Sequence, residues 1–394
     1  MSRFRFLTAG ESHGKALTVI IEGVPAGLRI DEDMIAVDLG RRQRGYGRGK
    51  RQQIETDRAD ITSGVRHGRT IGSPIALWLR NKDHDNANWR VRMATEEVDE
   101  EVERVTLLRP GHADLAGTQK YQLDDVRQIL ERSSARETAM RVAAGAIARA
   151  LLAEIGVAVH SHTIAIGDVE AAPPEGAIDW EAVEASPVRV ADREAEPRMI
   201  AAIDAAKEAL DSLGGIFEVR AGGLPFGLGA HVQWDRRLDG RIAQAILAIN
   251  AVKGVEIGPA FDNTRKPGSE VHDQLLPASQ WSERPWERRT NRAGGLEAGM
   301  TNGEELIVRG ALKPIATLAR RLPTADLLTG EEAQAFFERA DTCVVPAAGV
   351  IGEAMVLVTL ADAALEKFGG DHIDEFLRNH EAFQATVGPR EPDA

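Results

Sequence analysis

The stretch DVRQILERSSARETAMRVAAGAIARALLAEIGVAVHSHTIAIG, residues 125–167, changes its periodicity once, and that change decides the fold class. From Asp125 to Gly156, Val126, Ile129, Met140, Ala143, Ile147 and Leu151 recur at helical spacing and share one apolar face. Gly156 suits a C-terminal cap. A continuous helix of this length would run about 45 Å at 1.5 Å per residue. From 157 to 167 the pattern alternates with period two, so the chain passes from helix through glycine into a strand.

The same helix–glycine–strand succession recurs around 212–219 and 252–257, with no fixed period that would mark a repeat. Toward the N-terminus, residues 3–8 and 16–22 read as strands joined by the turn TAGESHGK. Residues 31–42 read as a short helix, TEEVDEEVERV (95–105) as an acidic, solvent-facing helix, and RPGHAD (109–114) as a turn. Toward the C-terminus, 199–213 reads as a helix and 216–222 as a strand. Asp239–Lys253 reads as an amphipathic helix stopped by Gly254, ELIVRGAL (305–312) as a strand, and 349–370 as a long apolar helix. The Pro-, Ala- and Glu-rich 168–198 and the polar 262–292 read as surface excursions or lid loops. No clean linker is visible, so residues 1–394 are expected to form a single α+β domain with antiparallel sheets.

Composition narrows the function. The chain carries 48 basic and 61 acidic residues, a net charge of −13, which argues against a general nucleic-acid binder. Yet RRQRGYGRGKRQQ (41–53) holds six basic residues and no acid. A basic focus on an acidic body points to a localised anionic ligand; the alternatives are a solvated loop or an RNA-contacting segment. No apolar run reaches the ~20 residues of a membrane span, and the N-terminus shows no signal-peptide pattern. With a single cysteine, Cys343, read as a buried bystander, a cytoplasmic location is expected.

Two familiar patterns fail. TAGESHGKA misses the phosphate-binding P-loop, because Gly10 and Gly14 enclose three residues and Ala16 follows Lys15. GYGRGK (45–50) has Lys50 where a dinucleotide fingerprint needs glycine. His160 and His162 share a strand face without a third ligand, and DHD (83–85) is a weak signal, so no metal site is expected.

Other features converge on a ligand. Ser12 and His13 stand on a glycine-shaped turn, and Pro110–Gly111 presents His112, with Asp114 placed to orient it. Imidazoles so held can donate protons near neutral pH or serve as structural hydrogen-bonders. In ERSSARETAMR (131–141), Arg132 and Arg136 lie four apart beside Ser133, which suits an anion or exposed ion pairs with Glu131 and Glu137. TNRAGGLEAGMTNG (290–303) reads as backbone shaped around a ligand, and LKPIATL (312–318) sets Lys313 and Thr317 on either side of a proline turn. ERADTCVVPAAG (338–349) puts Arg339 and Asp341 just before a long helix, where the acid serves a ligand or only caps the helix.

The conjunction AGESHG, RRxxGYGRGxR, SGxRHGxTxGxPI, RPGHAD, ERSSARETAxRVAAGAIAR, IxAxKGVEIG, TNRAGGxEAGMTNG, KPIAT and RADxCxVPAAGVIGEAM resembles the chorismate synthase family from residue 9 to about 356. The resemblance implies one large β-α-β sandwich, with helices between antiparallel sheets, assembled as a homotetramer. It implies conversion of 5-enolpyruvylshikimate 3-phosphate to chorismate, the last common step toward aromatic amino acids. Reduced FMN is needed without net redox change, and NADPH serves only indirectly as a source of reducing equivalents.

By the same resemblance, His13 with Ser12 is the acid at the leaving phosphate, His112 partners the reduced flavin, and Asp341 relays a proton. Arg42, Arg48 and Arg136 bind substrate or a nicotinamide phosphate, the substrate being preferred. Arg132, Ser133, Ser134, Asn250, Ala251, Ala298, Lys313, Pro314, Ile315, Ala316, Thr317 and Arg339 match flavin-contacting segments. No reductase domain is visible, so a monofunctional enzyme served by a separate flavin-reducing system is implied.

Overall fold

The computed structural model describes residues 3–49, 56–174, 176–338 and 341–390. Two antiparallel sheets enclose a layer of helices. The first sheet comprises β1 (Arg5–Ala9), β2 (Ala16–Glu22), β3 (Asp60–Ser63) and β4 (Ile75–Arg80), in the order β1-β2-β4-β3. The second comprises β5 (Ala158–Ile166), β6 (Val169–Glu170), β7 (Gly215–Gly222), β8 (Val252–Ile257) and, after the small hairpin β9 (Leu296–Glu297) and β10 (Met300–Thr301), β11 (Leu306–Leu312). Its order is β8-β11-β7-β5-β6.

The helices of six or more residues are α1 (Glu32–Gln43), α2 (Ala87–Arg92), α3 (Asp114–Tyr121), α4 (Arg127–Ser133) and α5 (Thr138–Ala153). They continue with α6 (Trp180–Ala185), α7 (Ala195–Glu208), α8 (Leu238–Leu247), α9 (Val345–Phe368) and α10 (Ile373–Gln384). Helix α5 packs against the first sheet and against α9, and α9 packs against β5 and β7 of the second. The β-α-β sandwich implied by the family resemblance is therefore the observed architecture.

Sequence pattern explains these layers. In β2, Leu17, Val19 and Ile21 point into the core while Ile20 points out, and Ile75, Leu77 and Leu79 of β4 repeat the alternation. Helix α9 is apolar all round, and every residue from Val345 to Leu365 is buried. Among the described residues it is the one helix long and apolar enough to cross a membrane, and its apolar window lies wholly inside the fold. Gly145 lets α5 approach it closely: a Cβ there would sit 2.4 Å from the Ala354 Cβ. The one carboxylate at the centre of α9, Glu353, is paired with Arg41 at 2.8 Å and Arg149 at 2.6 Å. Burial pushes the Glu353 carboxyl up, but these guanidinium charges outweigh it and hold it at about 2.

Four expectations are corrected. Residues 95–105 form no helix: acids at Glu96/Glu100, Glu97/Glu101 and Asp99/Glu103 repel at helical spacing. The long helix at 125–156 is broken. Ser134 is extended, and its hydroxyl accepts the Arg136 N–H at 3.3 Å, competing with the helical ladder. The helix expected to Lys253 stops at Leu247; Ala251 turns at φ +68° and Val252 begins β8. The 168–198 segment carries β6 and α6, and buries Val183, Val188, Arg189 and Val190 against the core, so it is no mere surface excursion. Residues 262–292 are exposed or half-buried, as a surface loop should be.

Candidate active site

A cavity of about 760 Å³ opens where the β1–β2 turn, the α4–α5 junction, the turn after α8, the segment after β11 and the first turns of α9 meet. Each of these is a place where regular structure stops. The β1–β2 turn depends on Gly10: its φ is +106°, and a Cβ there would lie 2.4 Å from the Ala16 carbonyl oxygen. This turn brings Ser12 and His13 to the cavity wall.

His13 is almost fully buried and held from three directions. Its ring Nδ1 lies 2.9 Å from Glu131 Oε1, and its backbone N–H donates to Glu131 Oε2 at 2.8 Å. The Trp89 ring of α2 stacks on the imidazole with centroids 3.8 Å apart. Nε2 lies 3.8 Å from Asp83 Oδ2. Because Glu131 occupies Nδ1 as an acceptor, Nδ1 carries a proton and Nε2 is the nitrogen left for chemistry.

His112 is held more locally. Its Nδ1 lies 2.5 Å from Asp114 Oδ1, as the RPGHAD spacing predicts. Arg109 donates to Asp114 through Nε at 2.8 Å and Nη2 at 2.9 Å. Burial pushes the Asp114 carboxyl up, but His112 and Arg109 more than offset it and hold it at about 2. Arg109 Nη1 also donates to Thr317 Oγ1 at 3.1 Å, and Lys313 Nζ donates to the Gly111 carbonyl at 3.0 Å. The 313–317 segment is thereby tied to the histidine turn.

The basic 41–53 run divides. Arg41 enters the core pairing with Glu353, whereas Arg42 and Arg48 face the cavity and join Arg136 there. Residues 50–53 lie outside the described residues. Arg136 donates to both Asp57 oxygens at 2.6 and 2.7 Å. Arg48 pairs with Asp341 at 3.0 Å, and the Gly49 N–H donates to the same carboxylate at 2.5 Å. Burial, reinforced by the like charges of Arg136 and Arg48 against the opposing Asp57, lowers the Arg42 guanidinium to about 10. Its Nη1 finds no hydrogen-bond partner among the described residues, with Asp57 3.5 Å away. Three crowded guanidinium groups make a site that an anion would relieve.

Of the sequence-predicted residues, the cavity gathers Ser12, His13, Arg42, Arg48, His112, Ser133, Ser134, Arg136, Asn250, Ala251, Lys313, Ile315, Ala316, Thr317 and Asp341. Arg132 is not among them. It lies before the Ser134 break and Arg136 after it, and the Arg132 guanidinium donates to the Thr8 and Gly10 carbonyls at 2.9 and 3.1 Å, bracing the hairpin. Pro314 does not line the cavity, and Ala298 sits in the β9–β10 turn away from it. Arg339 lies outside the described residues. Cys343 is buried, and burial pushes its thiol up to about 11. Among the described residues no three His, Cys, Asp or Glu side chains converge on a metal position.

Sequence reasoning missed Trp89, Arg109 and Glu131 as parts of the site. Glu131 had one usable signal: Arg127 precedes it by four residues, and the pair closes at 3.0 Å.

The sequence profile described as Chorismate synthase matches residues 4–365. A protein named Chorismate synthase from Rubrobacter xylanophilus is 54% identical over 386 residues, 98% of each chain. Another from Chlorobaculum tepidum is 52% identical over 397 residues, 98% of this chain and 99% of that one. A solved structure titled as the crystal structure of chorismate synthase superposes with a TM-score of 0.78 at 42% identity, covering 98% of this chain and 99% of its own. With the sandwich, the paired imidazoles and the arginine cluster in place, these matches establish that the chain belongs to the chorismate synthase family.

Proposed function

We propose that this chain is a monofunctional carbon–oxygen lyase that eliminates phosphate from 5-enolpyruvylshikimate 3-phosphate in an anti-1,4 sense, giving chorismate. The observation that carries the reading is one cavity faced by His13, His112, Asp341 and three guanidinium groups. As the C3–O bond breaks, its electron pair leaves with the phosphate, and Arg42, Arg48 and Arg136 offset that charge in a water-poor site. His13 delivers the Nε2 proton to the departing oxygen, and Ser12, held by the Ser134 hydroxyl at 3.1 Å, orients the same group.

The residues also fit a reduced flavin. Ile249, Leu312, Ile315 and Ala316 offer an apolar wall, and the buried Asn250 Oδ1 finds no hydrogen-bond partner among the described residues. The chemistry that reduced FMN would supply there is a transient electron and an acceptor for the C6 hydrogen. Toward it, Asn250, Ala251 and the 313–317 segment would hold the ring, with Ser133 and Ser134 beside them. His112, held through Nδ1 on Asp114, would keep the bound ring in the required protonation state, and Asp341 would receive the proton that originates at C6.

The reading includes one domain, a cytoplasmic location, NADPH acting only through a separate flavin-reducing system, and a homotetramer. The outer face of the first sheet exposes Leu7, Ile20 and Trp78, which suits burial against another copy. An RNA-binding role finds no support in the described part of the basic run, residues 41–49, where Arg41, Arg42 and Arg48 turn inward. The test is anaerobic phosphate release with and without reduced FMN. Release that depends on reduced FMN, with no net oxidation of it, is expected; release without flavin, or one oxidation per turnover, overturns the reading.

A further inference from the structure

Arg127 and Glu131 lie on α4, one turn apart, and both are buried. Neither is assigned above to substrate or flavin. Glu131 grips His13 twice, at the ring and at the backbone, while its own carbonyl accepts the Ser12 N–H at 3.0 Å. Arg127 donates to Glu131 Oε1 at 3.0 Å and to Glu338 Oε1 at 2.9 Å. Its guanidinium also sits 5.0 Å from the Trp89 ring, the ring that stacks on His13. One cation thus touches the carboxylate bound to the imidazole, the aromatic stacked on its face, and Glu338.

We propose that Glu131 and Arg127 are positioning residues for His13, holding its Nδ1–H on the carboxylate so that Nε2 is the nitrogen whose proton is handed into the cavity, and that Arg127 ties this clamp to Glu338. The inference rests on the role given to His13 under the proposed function. Burial pushes the Glu131 carboxyl up, but its hydrogen bonds to His13 and the Arg127 charge hold it below the usual range, so it stays an acceptor. A carboxylate that merely filled space would not contact both the side chain and the backbone of one residue. A rotating imidazole would present Nε2 in the right direction only part of the time, and catalytic geometry is sensitive to such looseness.

The experiment is a double-mutant cycle read by phosphate release with reduced FMN supplied. Glu131→Gln alone is expected to lower kcat by about 10- to 100-fold with KM within about threefold, because only the orientation of the acid is lost. In a His13→Ala background the same substitution is expected to change kcat by less than about threefold, because the group it serves is gone. Equal losses in both backgrounds overturn the proposal, since a purely structural role is indifferent to His13. Arg127→Lys, read in the same cycle, keeps the test intact should Glu131→Gln fail to fold. A second readout needs neither flavin nor substrate: a downfield imidazole N–H resonance in protein labelled with 15N-histidine. The wild type should show one such resonance for His13 beside that of His112, whose Nδ1 also leans on a carboxylate. The first should be lost in both His13→Ala and Glu131→Gln while the second persists, and a wild-type spectrum that His13→Ala leaves unchanged overturns the clamp. Undiminished turnover in His13→Ala would instead overturn the acid role of His13, a distinguishable failure.

Discussion

His13 and His112 solve one problem in two ways. Both stand on turns and both lean Nδ1 on a carboxylate. At His112 the carboxylate is two residues away, and Arg109 of the same turn secures it. At His13 the carboxylate is 118 residues away on α4, and an aromatic from α2 covers the ring. The first arrangement is nearly complete within six residues, whereas the second exists only once two distant helices have docked on the β1–β2 hairpin. The His112 side chain also remains 20% exposed against 9% for His13. A locally built site can face a mobile or exchangeable ligand, and a long-range one is locked by the core.

The largest expected effects remove the rings. His13→Ala and His112→Ala should each lower turnover by roughly 10²–10⁴-fold while the fold persists, measured by anaerobic phosphate release alongside circular dichroism. Near-normal turnover in both would erase the comparison. Next come the carboxylates. Asp114→Asn strands the buried Arg109 charge and should cost about 3–5 kcal/mol in denaturant unfolding. Glu131→Gln should cost less, because Arg127 keeps Glu338. The reverse ranking would mean that the local turn is the better buffered of the two.

Acid should discriminate further. The Asp114 carboxyl is depressed to about 2, so its contribution to stability is present above the unfolded value near pH 4 and is lost as pH falls toward 2. Melting temperatures followed down this range should decline less steeply in Asp114→Asn than in the wild type. A parallel decline would show that other carboxylates carry the acid sensitivity.

Smaller effects probe the His13 face. Trp89→Leu removes a stacked contact worth about 0.5–1.5 kcal/mol, so turnover should fall by up to about tenfold, with no counterpart at His112. Arg132→Ala should change turnover by no more than about twofold, since its guanidinium braces the hairpin outside the cavity. A larger loss would return Arg132 to the ligand.

The same contrast governs what could be read from sequence. The His112–Asp114 contact was legible because it is local, and so were the alternating strands β2 and β11 and the apolar α9. Glu131 was not: beside Arg127 and Arg132 it is equally consistent with a solvent-facing ion pair, and only the docked hairpin shows otherwise. The break at Ser134 hides for the same reason. A single serine hydroxyl redirects the chain in a stretch whose apolar period continues past it, and Arg132 and Arg136 part company there. Asn250 and Ala251 were carried over by motif while their local structure was misjudged. The turn at Ala251 competes with a good helical pattern and wins because Val252–Ile257 pairs with β11.

Helix α9 has a consequence for how the molecule comes into being. It begins at Val345, so a ribosome has made most of the polypeptide before the element that fills the space between α5, β5 and β7 emerges. Until then the nascent chain holds greasy surfaces with nothing to cover them, and a truncation upstream of this point should yield an aggregating remnant in place of a smaller working protein.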